Sequence, residues 1–336
     1  MLASAVGEAL PLRMLDTAER LTVPKVLDRF EDAGLVWSDC FILGDLFQNS
    51  YYATGEYHAR NLATRDRESL AGRTAGIAIL DDGLAISEQA LADAQYIPGR
   101  TMFATPHEPH HWGLFLVSSL PALEWFRNSG VSYDNLFVHL NHPNMRALFN
   151  RLDIDPGRVV EHDPLHPYLF ESVDLQRTPR MDFHIAPSER ALFRTLATGV
   201  GDIPPASRIF VSRRSRSRDD HRLLRNEAEL IAVFAPLGFT IVEPEQLSAE
   251  DQMALFATAD VVAGLGGGGM FNAVFCRPGT RLLSFESDPR FVDRHANLFA
   301  SLSLDYGMIL GTPAADGSWS IDVRAVLPHI RRFLRA

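Results

Sequence analysis

The sequence predicts an α/β protein whose C-terminal half is a parallel sheet flanked by helices. Three observations predict it. Strand-like and helix-like segments alternate from Arg208 to Phe285, four consecutive glycines (Gly266–Gly269) stand where a strand meets a helix, and 336 residues exceed the usual size of one domain. Two domains are therefore expected, with a boundary in the turn-rich stretch between Pro187 and Pro205: residues 1–195 first, 196–322 second, and a closing amphipathic helix over 323–336 able to pack across the junction.

The first domain alternates less cleanly. Gly76–Asp81 reads as a strand, with the Asp82-Gly83 turn and a short return strand at Leu84–Ile86 making a hairpin. Leu114–Phe126 has helical character, with Pro121 as a complication, while Leu136–Leu140, Met145–Leu152 and Val159-Val160 read as strand, helix and strand. Some antiparallel content is expected here. In the second domain Arg208–Ser212 is a strand followed by an arginine-rich loop. Asn226 caps a helix on which Leu230, Ile231 and Phe234 share a face and which Gly238 ends. Phe239–Val242 is the next strand, and Ser248 with Asp251 forms a capping box for a helix through Ala259. Val261–Ala263 leads into the glycines and a helix around Phe271–Phe275, and Arg281–Phe285 is the last strand.

The composition, 46% hydrophobic and 22% charged, is that of a globular protein. A formal charge of -10 argues against nucleic acid as a partner. Cys40 and Cys276 suggest neither a disulfide framework nor a metal site, and Cys276 reads as a small apolar residue of the helix after the glycines. No apolar run approaches the ~20 residues that span a bilayer. A cytoplasmic location is expected, with peripheral membrane association left open and the oligomeric state undetermined.

A strand, a glycine turn and a helix leave backbone N–H groups free at a helix N-terminus, where an anion can rest. Arg213 and Arg214, just after the strand at Arg208, are candidates for diphosphate oxygens, since guanidinium binds such groups bidentately at any working pH. Arg216 and Arg218 read as ordinary surface beside Asp219 and Asp220. Ligands of doubly wound sheets sit at the C-terminal strand ends, where both features fall. The competing dinucleotide fingerprint fails, because the glycines do not follow its spacing and no acidic residue ends a strand at the required distance.

These motifs, in this order, resemble glycosyltransferase family 61. Ser212-Arg213-Arg214, Asn226-Glu227, Gly238-Phe239, Leu247-Ser248 with Gln252, Gly264 to Asn272 and Pro278-Gly279 follow the family's C-terminal signature. The resemblance implies a GT-B-like fold of two Rossmann-like domains facing across a cleft, with the second binding a nucleotide sugar. It implies inverting transfer from a nucleotide-diphosphate donor, such as a UDP-sugar, to a glycan or other carbohydrate hydroxyl, with no metal and no cofactor. The chain departs from the family at Gly266, where the pattern carries a histidine, and at Ser284, where an acidic residue is common and Glu286 follows two positions on. In the first domain the family's histidine-aromatic pair falls either on His111-Trp112 or one turn later, with Leu114 in the histidine slot.

The expected donor-binding residues are thus Arg213, Arg214, Gly267, Gly268, Gly269, Asn272 and Glu286, the last toward ribose hydroxyls. Asn272 is read as holding the helix or touching the ligand, Gln252 as capping or packing, and Phe271 and Phe275 as core. An acceptor hydroxyl must lose a proton, a task suited to a histidine titrating near neutrality. His111 is the first candidate for that base, with Glu108 and His110 behind it; a metal site in this Pro-His-Glu-Pro-His-His stretch is the weaker reading. Two alternatives remain: a nucleotide- or glycan-binding member without catalysis, motivated by Gly266, and a nucleotide-sugar epimerase-like enzyme.

Overall fold

The computed structural model describes residues 9–13, 26–35, 62–63, 77–80, 83–86, 95–106, 109–163, 168–177, 185–199, 205–214, 223–287 and 292–335. Two compact units divide the chain. Val23–Asp182 form one; Met1–Thr22 and Phe183–Ala336 form the other. The opening strand β1 (Ala9–Arg13) thus belongs to the same unit as the C-terminal half.

The unit of residues 23–182 carries β2 (Val26–Leu35), β3 (Leu62–Ala63), the hairpin β4 (Ile77–Leu80) and β5 (Gly83–Ile86), β6 (Gln95–Phe103), β7 (Asn135–Val138), β8 (Val159–Glu161) and β9 (Tyr168–Arg177). Apart from the hairpin they form one mixed sheet of order β3-β2-β9-β6-β7-β8. β2 pairs antiparallel with β3 and β9, while β9, β6, β7 and β8 run parallel. The apolar ends of β6 and β7 explain their central place: Met102, Phe103, Leu136, Phe137 and Val138 are all buried.

Pro121 shapes the first long helix. A helical turn starts at Trp112, residues Phe115–Ser119 widen into a π-turn, and α1 (Leu120–Ser129) follows with Pro121 in its first turn. A proline inside a helix has no N–H to give and crowds the preceding turn. The π-turn, in which Leu120 N–H reaches the Phe115 carbonyl, absorbs both effects and lets the helix continue. Gly130, in the left-handed conformation, ends α1, and α2 (Pro143–Phe149) lies between β7 and β8.

Beyond β1, the other unit carries α3 (Pro187–Leu196) and β10 (Arg208–Val211), followed by α4 (Glu227–Phe234), β11 (Thr240–Val242), α5 (Ala249–Thr258), β12 (Val261–Leu265) and β13 (Arg281–Glu286). It closes with α6 (Val292–Ser301), β14 (Asp305–Leu310), the small ribbon β15 (Thr312–Pro313) and β16 (Trp319–Ser320), and α7 (Val323–Arg335). The sheet order is β1-β14-β13-β12-β10-β11, parallel throughout except for β1 on β14.

In chain order the five parallel strands stand 2-1-3-4-5, the flavodoxin-like winding, whose switch point lies between the first strand, β10, and the third, β12. The strand reading holds because β12 is buried on both faces and β13 at every residue after Arg281. Phe210, Phe234, Phe239 and Phe285 form the aromatic centre beneath, joined by Val326, Ile330 and Phe333 of α7. Arg281 donates to the carbonyls of Phe333 and Leu334, closing the C-terminus of α7 with a cation.

Two expected details change. The helix after the glycines is of the 3-10 type and runs over Gly268–Phe275, and Cys276 caps its C-terminal end rather than lying inside it. Asn226 occupies the N-cap position of α4 without a side-chain cap bond. Its amide holds the Ile321 backbone instead, donating to the carbonyl (2.7 Å) and accepting from the N–H (3.2 Å).

Candidate functional site

The switch point of the second sheet collects the glycine turn and one arginine. β10 ends at Val211, and the next residues are held from below by the carboxylate of Glu227, which is buried at the start of α4. Its Oε1 accepts from the Ser212 hydroxyl (2.6 Å) and the Arg213 N–H (2.9 Å). With its backbone fixed, the Arg213 guanidinium lies across the glycine turn at the end of β12, donating to the Gly266 carbonyl at 2.9 Å. A Cβ on Gly267 would stand 2.7 Å from that guanidinium, and Gly267 has φ 143°, so this approach needs glycine on both counts. Gly268 and Gly269 then head the 3-10 helix, where first-turn N–H groups have no partner inside the helix.

Arg214 turns elsewhere. It is half exposed and pairs with Glu243, just past β11, at 3.1 Å. Asn272 is fully buried and points inward, its amide donating to the Gln252 side chain (2.8 Å) and the Gly269 carbonyl (3.0 Å), while Gln252 donates to Leu247 O. These two amides hold the 3-10 helix to α5. Phe271 and Phe275 are core residues, the latter edge-on to Phe193.

Glu286 is buried at the end of β13. Its carboxylate fills the space that a side chain at Gly266 would occupy, and its Oε1 pairs with His295 Nδ1 of α6 at 2.7 Å. The His295 ring stands edge-on to Phe271. The bare position at 266 and the buried Glu286–His295 pair are thus two sides of one packing arrangement. His295 carries no sequence signal, because nothing in its helix predicts which face meets the glycine turn.

A second group of titratable side chains gathers in the other unit, at the C-terminal ends of β7 and β8. His139 follows Val138 and His162 follows Glu161 directly. His110, in the connection after β6, brings its Nδ1 within 3.2 Å of His139 Nε2 and 2.7 Å of the Asn141 amide, and His139 Nδ1 sits 3.1 Å from the His162 carbonyl. Burial, then the neighbouring His110, push the His139 imidazole down to about 4. Burial, then His139 and His110, take His162 down to about 3. Arg146 of α2 ties the two strand ends together, bridging both oxygens of Glu161 and the Leu140 carbonyl. Tyr168 pins the turn past His162 through the Asp163 N–H.

His110 therefore joins a histidine cluster, whereas His111 serves as N-cap of the turn at Trp112, its Nδ1 accepting the Leu114 N–H at 3.1 Å. Glu108, with His107, lies outside the described residues, as do Arg216 and Arg218. The partners His139 and His162 escaped the sequence reading, since strand ends far apart in the chain become neighbours only through the sheet. Among the described residues no group of three or more His, Cys, Asp or Glu is arranged to hold a metal ion, and no helix is long and apolar enough to cross a membrane.

A doubly wound sheet with an arginine and a glycine turn at its switch point marks a protein of the Rossmann-like α/β class. The family model described as Glycosyltransferase 61 matches residues 14–283, and the chain belongs to that family. It is accordingly a glycosyltransferase, whose partners are a sugar donor and a carbohydrate acceptor. No match was found among curated proteins.

Proposed function

We propose that the protein transfers a sugar from a nucleoside-diphosphate donor, a UDP-sugar by preference, to a carbohydrate hydroxyl with inversion, in polysaccharide or glycan assembly. The observation that carries this reading is the Arg213 guanidinium lying against the Gly266-Gly267 backbone at the sheet's switch point. A diphosphate resting on the Gly268 and Gly269 amides meets that cation. Both groups stabilise the negative charge that develops on the leaving diphosphate, so this reading asks for no metal. The two units then correspond to the two GT-B domains, with the donor on the C-terminal one and the acceptor base on the N-terminal one.

For that base we take His110 rather than His111, because His111 spends its Nδ1 on the helix cap and His110 is set in the histidine cluster. Glu286 is better placed to organise His295 than to accept ribose hydroxyls, its Oε1 being engaged and its carboxyl buried.

Titration calorimetry with UDP tests the donor site. Arg213→Ala is expected to weaken UDP binding about tenfold to a hundredfold, the range of one or two charge-assisted hydrogen bonds. Arg214→Ala, which releases Glu243, is expected to change it by less than about threefold. Equal effects of the two variants, or no UDP binding by the intact chain, would overturn the assignment. A second reading, binding without transfer, is favoured by the carboxylate standing where a side chain at 266 would be. Release of UDP from a UDP-sugar in the presence of glycan acceptors decides against it.

A further inference from the structure

The histidine cluster contains a chain of hydrogen bonds whose donors and acceptors are set from one end. The His162 carbonyl is an acceptor only, so the His139 Nδ1 facing it carries the proton. A neutral His139 then presents a bare Nε2 to His110, and His110 Nδ1 is the donor across that 3.2 Å contact. The Asn141 side-chain nitrogen stands 2.7 Å from the same Nδ1; the two ends of an amide exchange by a half-turn, and a proton on Nδ1, required by the bare His139 Nε2, assigns the Asn141 oxygen to that place. Among the described residues both polar contacts of the His110 ring converge on Nδ1, and His110 itself is exposed.

We propose that His139, seated on the His162 carbonyl, is a positioning residue that fixes His110 as the Nδ1–H tautomer and makes Nε2 its basic nitrogen. The catalytic part of this proposal rests on the reading of His110 as the acceptor base; the tautomer does not. In the transfer step, Nε2 takes the acceptor hydroxyl proton as the oxygen bonds to the sugar carbon and the bond from that carbon to the donor diphosphate breaks. The resulting His110 imidazolium keeps its Nδ1–H on His139 Nε2, so no rearrangement of the ring accompanies protonation. The acidic groups around His139 are Glu161 and Asp163. The buried, low-affinity His139 ring suits this role, because it stays neutral and remains an acceptor at working pH.

Two-bond proton–nitrogen correlation spectra of the full chain, labelled with nitrogen-15 histidine and recorded near pH 7.5, read the tautomer directly. His110 is assigned by the signals missing from His110→Gln. The expected result is Nδ1–H at His110 in the wild type, retained in His139→Gln, whose amide also donates to a carbonyl and accepts from a neighbour. In His139→Leu a mixture of tautomers is expected, with turnover lower by on the order of a hundredfold and the KM for the donor unchanged. Nε2–H at His110 in the wild type, or an undisturbed Nδ1–H in His139→Leu, overturns the proposal; should His139→Leu fail to fold, loss of Nδ1–H in His139→Gln does so. If the expected tautomers appear but no UDP-sugar is ever turned over, the transferase reading fails while the tautomer assignment stands.

Discussion

At Gly267 the backbone takes φ 143° and ψ −174°, a conformation open to glycine and strained for any L-residue, with the Arg213 guanidinium filling the volume where a side chain would begin. At Gly266 the obstacle is different, since a Cβ there meets the carboxylate that Glu286 holds against His295. Gly266→Ala is expected to destabilise the protein by about 1–3 kcal/mol through overpacking. The double variant Gly266→Ala/Glu286→Ser should lose less than the sum of its single changes, because the two positions share one volume. Urea denaturation of the four chains measures this, and strict additivity would refute the shared-volume account. The need for glycine was legible in the sequence as a run of four. Which neighbour each glycine accommodates was not, because Arg213, Glu286 and His295 arrive from other elements.

Among the elements, α5 and the 3-10 helix after the glycines form one device, joined by the buried Asn272–Gln252 bond. Asn272→Ala and Gln252→Ala should each cost about 1–3 kcal/mol, since each leaves a buried amide group without its partner. The double variant should cost clearly less than the two together. Thermal unfolding of the set checks it, and additive losses would show that the two amides act separately. The cap of α5 was readable in advance, because Ser248 accepting from the Asp251 N–H is a local bond between residues three apart. The opening of α4 was readable as a position only. There Asn226 and Glu227 serve Ile321 and Arg213, partners that no local rule supplies. Pro121 shows the same limit: its cost to a helix is known from sequence, but the π-turn that absorbs it depends on the packing of Phe115–Ser119.

For the whole molecule, the two buried histidines set an acid limit. The His139 and His162 rings hold their protons less tightly folded, near 4 and 3, than in an unfolded chain, where the ordinary value is about 6.5. The unfolded chain therefore binds more protons below pH 6.5. The stability is fully present above that value and is lost progressively as pH falls from 6.5 toward 3. Urea unfolding at fixed ionic strength from pH 7.5 to 4.5 should show this decline, with a shallower slope in His139→Phe. A variant slope equal to that of the wild type would rule the pair out as its source.

By itself the sequence determined the α/β class, the alternation from Arg208 to Phe285, the glycine turn and the family, because periodicity, caps and ordered motifs are local properties of the chain. Only the tertiary structure decided that β1 joins the C-terminal unit and that β10 and β12 flank a switch point, bringing Arg213 onto the glycines. It also decided that Glu286 and His295 occupy the space beside Gly266, and that His110 meets His139 above the His162 carbonyl. The reason is physical. Strand order and the contacts across it follow from burying the faces of a whole sheet at once, and no window of neighbouring residues contains that information.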